Sequence, residues 1–199
     1  MPIDYYEALE VARRFCNPWH ESVNRPYYSG GSMYATNGYA AIAIHDVEEF
    51  WHEDDLKLVE KICSTFHDAN VQRDALKRHR VDLPEFDTAL RAVLRDISER
   101  SSTVGNSGFG LMQGCVRIEE QCYISAEIAQ KIGALYYMFD DEDGARCAWV
   151  SGRNEMVLFK GVRWEVVTMP LFIAKVPAEP RRPCADLRTG ELVSVMEAK

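Results

Sequence analysis

The chain has 199 residues, of which 47% are hydrophobic and 27% are charged, and its formal net charge is −8. This length fits one domain or two small ones, and the hydrophobic content is too high for an intrinsically disordered chain. The negative charge excludes a general attraction to DNA phosphates, so nucleic acid could be bound only through a local basic patch. The acidic surface is either solubilising or directed at a basic protein partner.

Cysteines and histidines give no sign of a metal site. The six cysteines are scattered without a Cys-x-x-Cys pair, and the five histidines lack a zincin spacing. We therefore expect no metal and no cofactor. The first residues lack the basic and then apolar design of a signal peptide, and no apolar run approaches the roughly 20 residues that span a bilayer. The sequence predicts a cytoplasmic protein with reduced thiols and no membrane partner.

The N-terminal part of the chain predicts one helix and one hairpin. Apolar residues at helical spacing predict a helix over 4–15, and Asp4 is placed to cap it. Residues 25–45 have β composition on both sides of Asn37-Gly38, a dipeptide typical of a two-residue hairpin with a type I′ turn.

The second strand of that hairpin and the segment after it predict how the hairpin is covered. Ala41 and Ala43 share one face, and side chains this small indicate that a helix packs closely there. The block 48–100 carries two apolar stripes at helical spacing, which predict a two-helix insertion whose second helix begins at Asp82. The Ser- and Gly-rich stretch 101–110 is predicted to be a flexible connection.

The C-terminal half predicts a strand, a helix and a meander. The strand covers 116–124, and the helix runs over 125–135 with Ser125 as its N-cap. Three strand-like runs follow and end at Pro170: YYMFDD, RCAWVS and EMVLFKGVRWEVVTMP. Together these elements predict a single α+β domain over 1–176, with helices packed on an antiparallel sheet, and a Pro-rich tail or short hairpin over 177–199.

Two acidic runs are candidate contacts for a basic protein partner. Their charge also has a simpler explanation, because acids suit the first turn of a helix and a hairpin turn. A calcium loop is not expected in the second run, since Phe139 stands where the EF-hand spacing needs a ligand. The candidate partner-binding residues are Glu48, Glu49, Glu53, Asp54, Asp55, Asp140, Asp141, Glu142 and Asp143.

Basic residues on three predicted helices are the candidates for contact with nucleic acid. Acidic neighbours interleave with them, so a solvated surface is the simpler interpretation. The candidate residues are Arg13, Arg14, Arg73, Lys77, Arg78, Arg80 and Lys131.

Three short segments resemble bacterial DNA sliding clamps. The segment ATNGY at 35–39 is similar to the A-T-D-G-H type turn of these clamps, with Asn37 in place of the acid. YISAEI at 123–128 resembles the start of a clamp domain's second helix, and VVTMP at 166–170 resembles its closing strand. The resemblance implies a clamp-like domain of two β-α-β-β-β units, here with a helical insertion, and assembly of the chain with copies of itself.

The sequence leads to two hypotheses about function. The first is a non-enzymatic binding protein of DNA metabolism, encoded by a phage or mobile element, because the chain is small and clamp-like. The alternative is an acidic inhibitor that occupies the nucleic-acid site of a host complex, such as a CRISPR effector. We do not expect an enzyme, since the sequence contains no P-loop, nucleophile signature or acid–base constellation.

Overall fold

A computed structural model describes residues 1–49, 56–72, 78–104, 114–139, 146–151, 155–171 and 183–193. Within these ranges the chain forms four α-helices and ten β-strands. The helices are α1 (Tyr5–Arg13), α2 (Leu56–Gln72), α3 (Phe86–Val104) and α4 (Ala126–Phe139). The strands are β1 (Tyr27–Ser29), β2 (Ser32–Thr36), β3 (Ala40–Ile44), β4 (His79–Asp82), β5 (Cys115–Glu119), β6 (Cys122–Ser125), β7 (Cys147–Val150), β8 (Val157–Lys160), β9 (Trp164–Thr168) and β10 (Cys184–Asp186). The predicted α+β class is confirmed.

Seven strands form one antiparallel sheet in the order β1-β2-β3-β9-β8-β7-β4. At its centre β3 pairs with β9, so that Ile42 lies opposite Val166 and Ala43 lies opposite Glu165. Strands from the two halves of the chain therefore share this large sheet.

Strands β5 and β6 do not join the large sheet. They pair with each other antiparallel, β10 adds to β5 in parallel, and the three form a separate small sheet. The prediction of a single strand over 116–124 is wrong because the chain reverses between Glu119 and Cys122. Gln121 has φ +66° in this turn. Residues other than Gly, Asn or Asp rarely adopt this backbone conformation, so a Gln here gives no clear sequence signal for a turn.

Helix α2 covers one face of the large sheet, as the small side chains predicted. Ala41 and Ala43 on β3 pack in one cluster with Val59, Ile62 and Phe66 of α2. The short alanine side chains leave room for the larger residues of the helix.

Helices α1 and α4 cover the opposite face of the large sheet. Ile42 on β3 and Val166 on β9 belong to the same hydrophobic cluster as Val11 of α1 and Ile132 of α4. Helix α4 also packs on α3 and on the small sheet. The main core therefore surrounds α4, which explains the high apolar content of this helix.

Both predicted N-caps are confirmed. The backbone N–H of Glu7 donates to Asp4 Oδ1 at 2.9 Å, and that of Ile128 donates to Ser125 Oγ at 3.1 Å. The end of α4 differs from the prediction, because 136–139 are helical and not part of a strand. Tyr136 and Phe139 continue the apolar spacing of the helix and are buried in the core.

The block 48–100 contains a strand as well as two helices. Strand β4 pairs with β7 at the edge of the large sheet, and Asp82 lies in this strand, so the second helix begins only at Phe86. The strand has a single apolar residue, Val81, and no alternation that would predict it. Helix α3 continues to Val104, so 101–104 are not part of a flexible connection.

The turn between β2 and β3 is not the predicted type I′. That turn needs a positive φ at both central residues. Gly38 has φ +90°, but the φ of Asn37 is not positive. Instead, Asn37 Oδ1 accepts from the backbone N–H of Tyr39 at 2.9 Å and of Ala40 at 2.8 Å. The backbone N–H of Asn37 donates to Ala40 O at 3.1 Å, so the two residues of the turn are Gly38 and Tyr39, one position later than predicted. The side chain of Asn37 closes this turn, as in an Asx turn.

Part of the predicted tail folds back onto the small sheet. Ala185 lies beside Val116 of β5 and also forms a bridge with Leu192. Leu187 is buried in the main core. In the ranges given above, none of the helices is long and apolar enough to cross a membrane.

Candidate functional site

An open groove of about 810 Å³ lies where the N-terminus meets the chain after β3. Its lining includes Pro2, Gly31, Ser32 and the run His45–Glu49, and we call it the N-terminal groove. Glu48 and Glu49, two of the predicted acidic contacts, are thus placed at a concave surface.

Backbone hydrogen bonds hold the two walls of the N-terminal groove together. The N–H of Ile3 donates to Asp46 O at 2.7 Å, and that of Glu48 donates to Ile3 O at 2.8 Å. The N–H of Val47 donates to Gly31 O at 2.9 Å. These bonds fix the run after β3 between the N-terminus and the β1–β2 turn, so the groove is part of the folded framework.

The exposed side chains of this run are acidic. Val47 is buried, whereas Asp46, Glu48 and Glu49 are exposed. Asp46 has φ +55°, an uncommon conformation that Asp tolerates better than most residues. Opposite charges are attracted to such a surface, so the N-terminal groove favours cationic groups.

A chain of polar side chains leads from the N-terminal groove under α2. Ser32 Oγ lies 3.3 Å from His45 Nδ1, and Tyr34 hydrogen-bonds through its side chain to Cys63 and to Ser32. Burial, together with the bond to Cys63 and the nearby charge of Glu165, raises the pKa of Tyr34 to about 12. Tyr34 is therefore protonated at neutral pH and serves as a hydrogen-bond donor.

Sequence reasoning did not find this polar chain. Its first step had no signal, because the observed register places Ser32 opposite His45, whereas the predicted two-residue turn at Asn37-Gly38 would place Ser32 opposite Ala43. The contact between Tyr34 and Cys63 had no signal, since it depends on how α2 rests on the sheet. Chemically, the arrangement offers hydrogen bonds and negative charge for recognition. Over the described residues, no group of three or more His, Cys, Asp or Glu side chains is arranged to hold a metal ion.

The other predicted acidic contacts lie outside the described residues. They are Glu53, Asp54, Asp55, Asp140, Asp141, Glu142 and Asp143. The same holds for two of the predicted basic contacts, Arg73 and Lys77.

The described basic candidates at the end of α1 and on β4 are exposed, but two of them are paired with acids. Arg14 Nη2 lies 3.5 Å from Glu10 Oε1, and Arg80 Nε donates to Asp82 Oδ1 at 2.8 Å. Arg13 is exposed in the last turn of α1. The two pairs reduce the positive charge that a phosphate would meet.

The remaining basic candidates are withdrawn from solvent. Arg78 is only 4% exposed, and its Nη1 lies 3.5 Å from Trp149 O. Burial lowers the pKa of Arg78. Lys131 Nζ lies 2.7 Å from Glu127 Oε1 and 5.8 Å from the ring centre of Phe15.

Arg13 and Lys131 both lie near Cys16, where their charges oppose the effect of burial on the pKa of its thiol. The pairing of Lys131 with Glu127 and the burial of Arg78 nevertheless weaken the described basic candidates as a surface for nucleic acid.

Comparison of the chain with models of known protein families, with curated proteins and with solved structures finds no match in any of the three.

Proposed function

We propose that this chain is a non-enzymatic binding protein whose N-terminal groove takes a basic segment of a protein partner. The observation that carries the proposal is the exposure of Asp46, Glu48 and Glu49 beside one open concavity. Backbone hydrogen bonds fix that concavity, so a partner meets a preformed site and binding costs little ordering of the groove.

Contact with a basic protein is favoured over direct contact with DNA. Neutralising phosphates requires several unpaired Lys or Arg side chains on one surface. Arg14, Arg80 and Lys131 are each paired with an acid, and Arg78 is buried. The net charge of −8 adds a general repulsion from DNA.

The basic partner surface is of the kind that normally holds nucleic acid. An acidic protein seated on such a surface excludes the nucleic acid from it, and this is the action of an inhibitor. Charge complementarity would mainly raise the association rate and select basic partners. A host nucleic-acid complex, such as a CRISPR effector, is therefore the partner class that we propose.

Binding of a fluorescent oligo-arginine peptide tests the groove directly. We expect the double variant Glu48→Lys/Glu49→Lys to bind the peptide roughly tenfold more weakly, because attraction becomes repulsion at the site. Fluorescence anisotropy titrations at several salt concentrations measure the affinity, which should fall as salt rises.

A matched control variant changes the net charge by the same amount at a surface away from the N-terminal groove. Glu120 and Glu191 are exposed residues next to the strands of the small sheet, and Glu120→Lys/Glu191→Lys should keep most of the affinity. Equal loss in both double variants would mean that the peptide senses only net charge, and it would overturn the assignment of the groove. A pull-down from the native host with the same variants then identifies the partner as the protein that only the groove variant loses.

The strand order supports a second candidate, a clamp-like protein of DNA metabolism that assembles with itself. Helix α1 precedes β1, β2 and β3, while α4 precedes β7, β8 and β9. The last strands of these two runs pair antiparallel at the centre of the large sheet. The clamp unit that the sequence resembles has a further strand before the helix. Among the described residues, only the bridge of Ile3 with Val47 precedes α1, and β6 before α4 lies in the small sheet. The likeness is therefore partial, and a fold does not fix a function.

Solution mass separates the two candidates. A clamp-like protein should give a ring-forming oligomer in size-exclusion light scattering and a duplex-DNA gel shift that weakens with salt. A monomer over a wide concentration range without a gel shift would contradict the second candidate, and it would leave the proposal for the N-terminal groove intact.

A further inference from the structure

The first residues of β5 and β10 are both cysteines, and they lie side by side. In the parallel pairing of these strands, Cys184 is directly opposite Cys115. Neighbouring strands are about 4.8 Å apart, which is within the roughly 4.4–6.8 Å between Cα atoms that a disulfide spans. Opposed residues in neighbouring strands also point to the same face of the sheet. The backbone therefore presents the two sulfur atoms to each other.

The side chains of the two cysteines lie together in a buried position. The two thiols hydrogen-bond to each other, and they share a small apolar cluster with Tyr123 that Leu171 and Val193 help to cover. Cys115 is 0% exposed and Cys184 is 2% exposed. The bond to Cys115 and burial both raise the pKa of the Cys184 thiol. As free thiols, the pair behaves as small apolar side chains.

We propose that Cys115 and Cys184 form a reversible disulfide that fastens β10 to β5 when the chain meets a peroxide. The bond would close a loop that includes β6, α4, β7, β8 and β9. It would therefore fix the C-terminal strand to the framework of the fold. In the reduced state, β10 is held by three paired residues and by side-chain contacts.

The oxidant is hydrogen peroxide, and the disulfide forms in two steps. The thiolate sulfur of one cysteine attacks a peroxide oxygen, the O–O bond breaks, and the sulfur becomes a sulfenic acid while hydroxide leaves and takes up a proton. The sulfur of the other cysteine attacks the sulfenic sulfur, the S–O bond breaks, and a second water leaves with the proton of that thiol. Two thiols and one peroxide thus give one disulfide and two waters. A dithiol reductant supplies the two electrons that reverse the reaction.

Burial makes the reaction slow and dependent on opening of the cover. A buried thiol is ionised less readily than an exposed one, and the thiolate is the reacting form. Oxidation should therefore be faster at higher pH and under conditions that loosen the contact of Leu171 and Val193 with the pair. Once sulfenic acid forms at one sulfur, the partner thiol is already in place, so the disulfide should follow without accumulation of the intermediate.

Peroxide treatment of the purified chain followed by thiol blocking and mass spectrometry tests the proposal. We expect a peptide that links Cys115 to Cys184 and has lost two hydrogen atoms, while Cys122 on the neighbouring strand stays alkylatable after unfolding. Dithiothreitol should restore the two thiols. The oxidised chain should melt about 5–15 °C higher than the reduced chain, because the closed loop restricts the unfolded state.

Serine variants supply the controls. Cys184→Ser should abolish both the linked peptide and the rise in melting temperature, and Cys63→Ser, at a half-buried cysteine of α2, should keep both. If Cys184→Ser does not fold, the identity of the linked peptide from the unmodified chain, found before and lost after dithiothreitol, still tests the assignment. Cys115 and Cys184 that remain alkylatable after prolonged peroxide treatment at raised pH, when oxidation of Cys63 is complete, would overturn the proposal. A link that forms only in urea-unfolded chain would also overturn it.

Discussion

Gly190 illustrates how one residue limits the path of the C-terminal segment. Its φ is +74°, which L side chains rarely adopt, and a Cβ built on it would lie 2.9 Å from Thr88 Cγ2 and 3.4 Å from Glu85 Cβ. The chain after β10 thus passes against the first turn of α3 and the residue before it. Both the backbone conformation and the space at this position require glycine.

Gly190→Ala should lower the free energy of unfolding by roughly 2–4 kcal/mol, since it combines a left-handed backbone with a steric clash. Gly30→Ala is the matched control, because Gly30 has φ +57° but an added Cβ would have no atom within 4 Å beyond its chain neighbours. Gly30→Ala should lower the free energy of unfolding by only about 1–2 kcal/mol, because the left-handed backbone conformation is its single unfavourable feature. Urea unfolding followed by circular dichroism measures both. Equal losses in the two variants would show that the contact with Thr88 has no energetic weight.

At the scale of elements, the alanines of β3 decide how closely α2 lies on the large sheet. Ala43 is 1% exposed and packs in the cluster that contains Ile62 and Phe66. A larger side chain there has no free volume, because protein interiors are close-packed.

Ala43→Leu should therefore destabilise the protein by about 1–3 kcal/mol through overpacking. Ala134→Leu in α4 adds the same side chain at a half-buried position, and leucine and alanine have similar helix propensities, so its effect should be small. Differential scanning calorimetry of the two variants gives the comparison. A neutral Ala43→Leu would indicate that α2 can shift away from the sheet at little cost.

Elements with their own local signal could be predicted from the sequence. The caps at Asp4 and Ser125 and the close approach of α2 to Ala41 follow from residue types and spacing alone. Strand β4 could not be predicted, because its pairing with β7 stabilises a segment with one apolar residue. The β5–β6 turn was missed because Gln121 adopts a left-handed conformation without a sequence signature. In both cases tertiary pairing outweighs local propensity.

The candidate functional site could also be predicted only in part. The acidic run marked Glu48 and Glu49, whereas the contact of His45 with Ser32 depends on a hairpin register that the predicted Asn-Gly turn does not give. The concavity itself had no signal, since it forms only where the backbone near Ile3 meets the chain after β3. Sequence composition thus indicates which charges a surface carries, whereas long-range contacts decide whether those charges face a groove.

At the scale of the whole molecule, one buried carboxylate ties the C-terminal segment to the small sheet. Asp186 has a side chain only 1% exposed, and its Oδ2 accepts from Arg117 Nη2 at 2.6 Å and from Arg188 Nη2 at 2.8 Å. Arg117 lies on β5, so this pair joins positions far apart in the chain. A charge buried at this depth is tolerated because both oxygens have charged donors.

Asp186 predicts how the stability of the fold depends on acid. Burial alone would raise its pKa, but hydrogen bonds from Arg188 and Arg117 outweigh burial and lower the pKa to about 2. In the unfolded chain the pKa is near 4. The folded state therefore binds the proton less readily, and the ionised carboxylate contributes roughly 2 kcal/mol above pH 4 that is lost as the pH falls towards 2.

Asp186→Asn should remove this contribution and leave the two arginines without their anion. We expect a loss of roughly 3–5 kcal/mol at pH 7, together with a shallower fall in the free energy of unfolding between pH 4 and pH 2. Asp82→Asn is the control, because the pair of Asp82 with Arg80 is exposed and such pairs contribute little. Urea titrations at several pH values give the two slopes. If Asp186→Asn showed the same fall in the free energy of unfolding with acid as the unmodified chain, that fall would be due to other carboxylates. The buried pair would then not link the C-terminal segment to the stability of the whole fold.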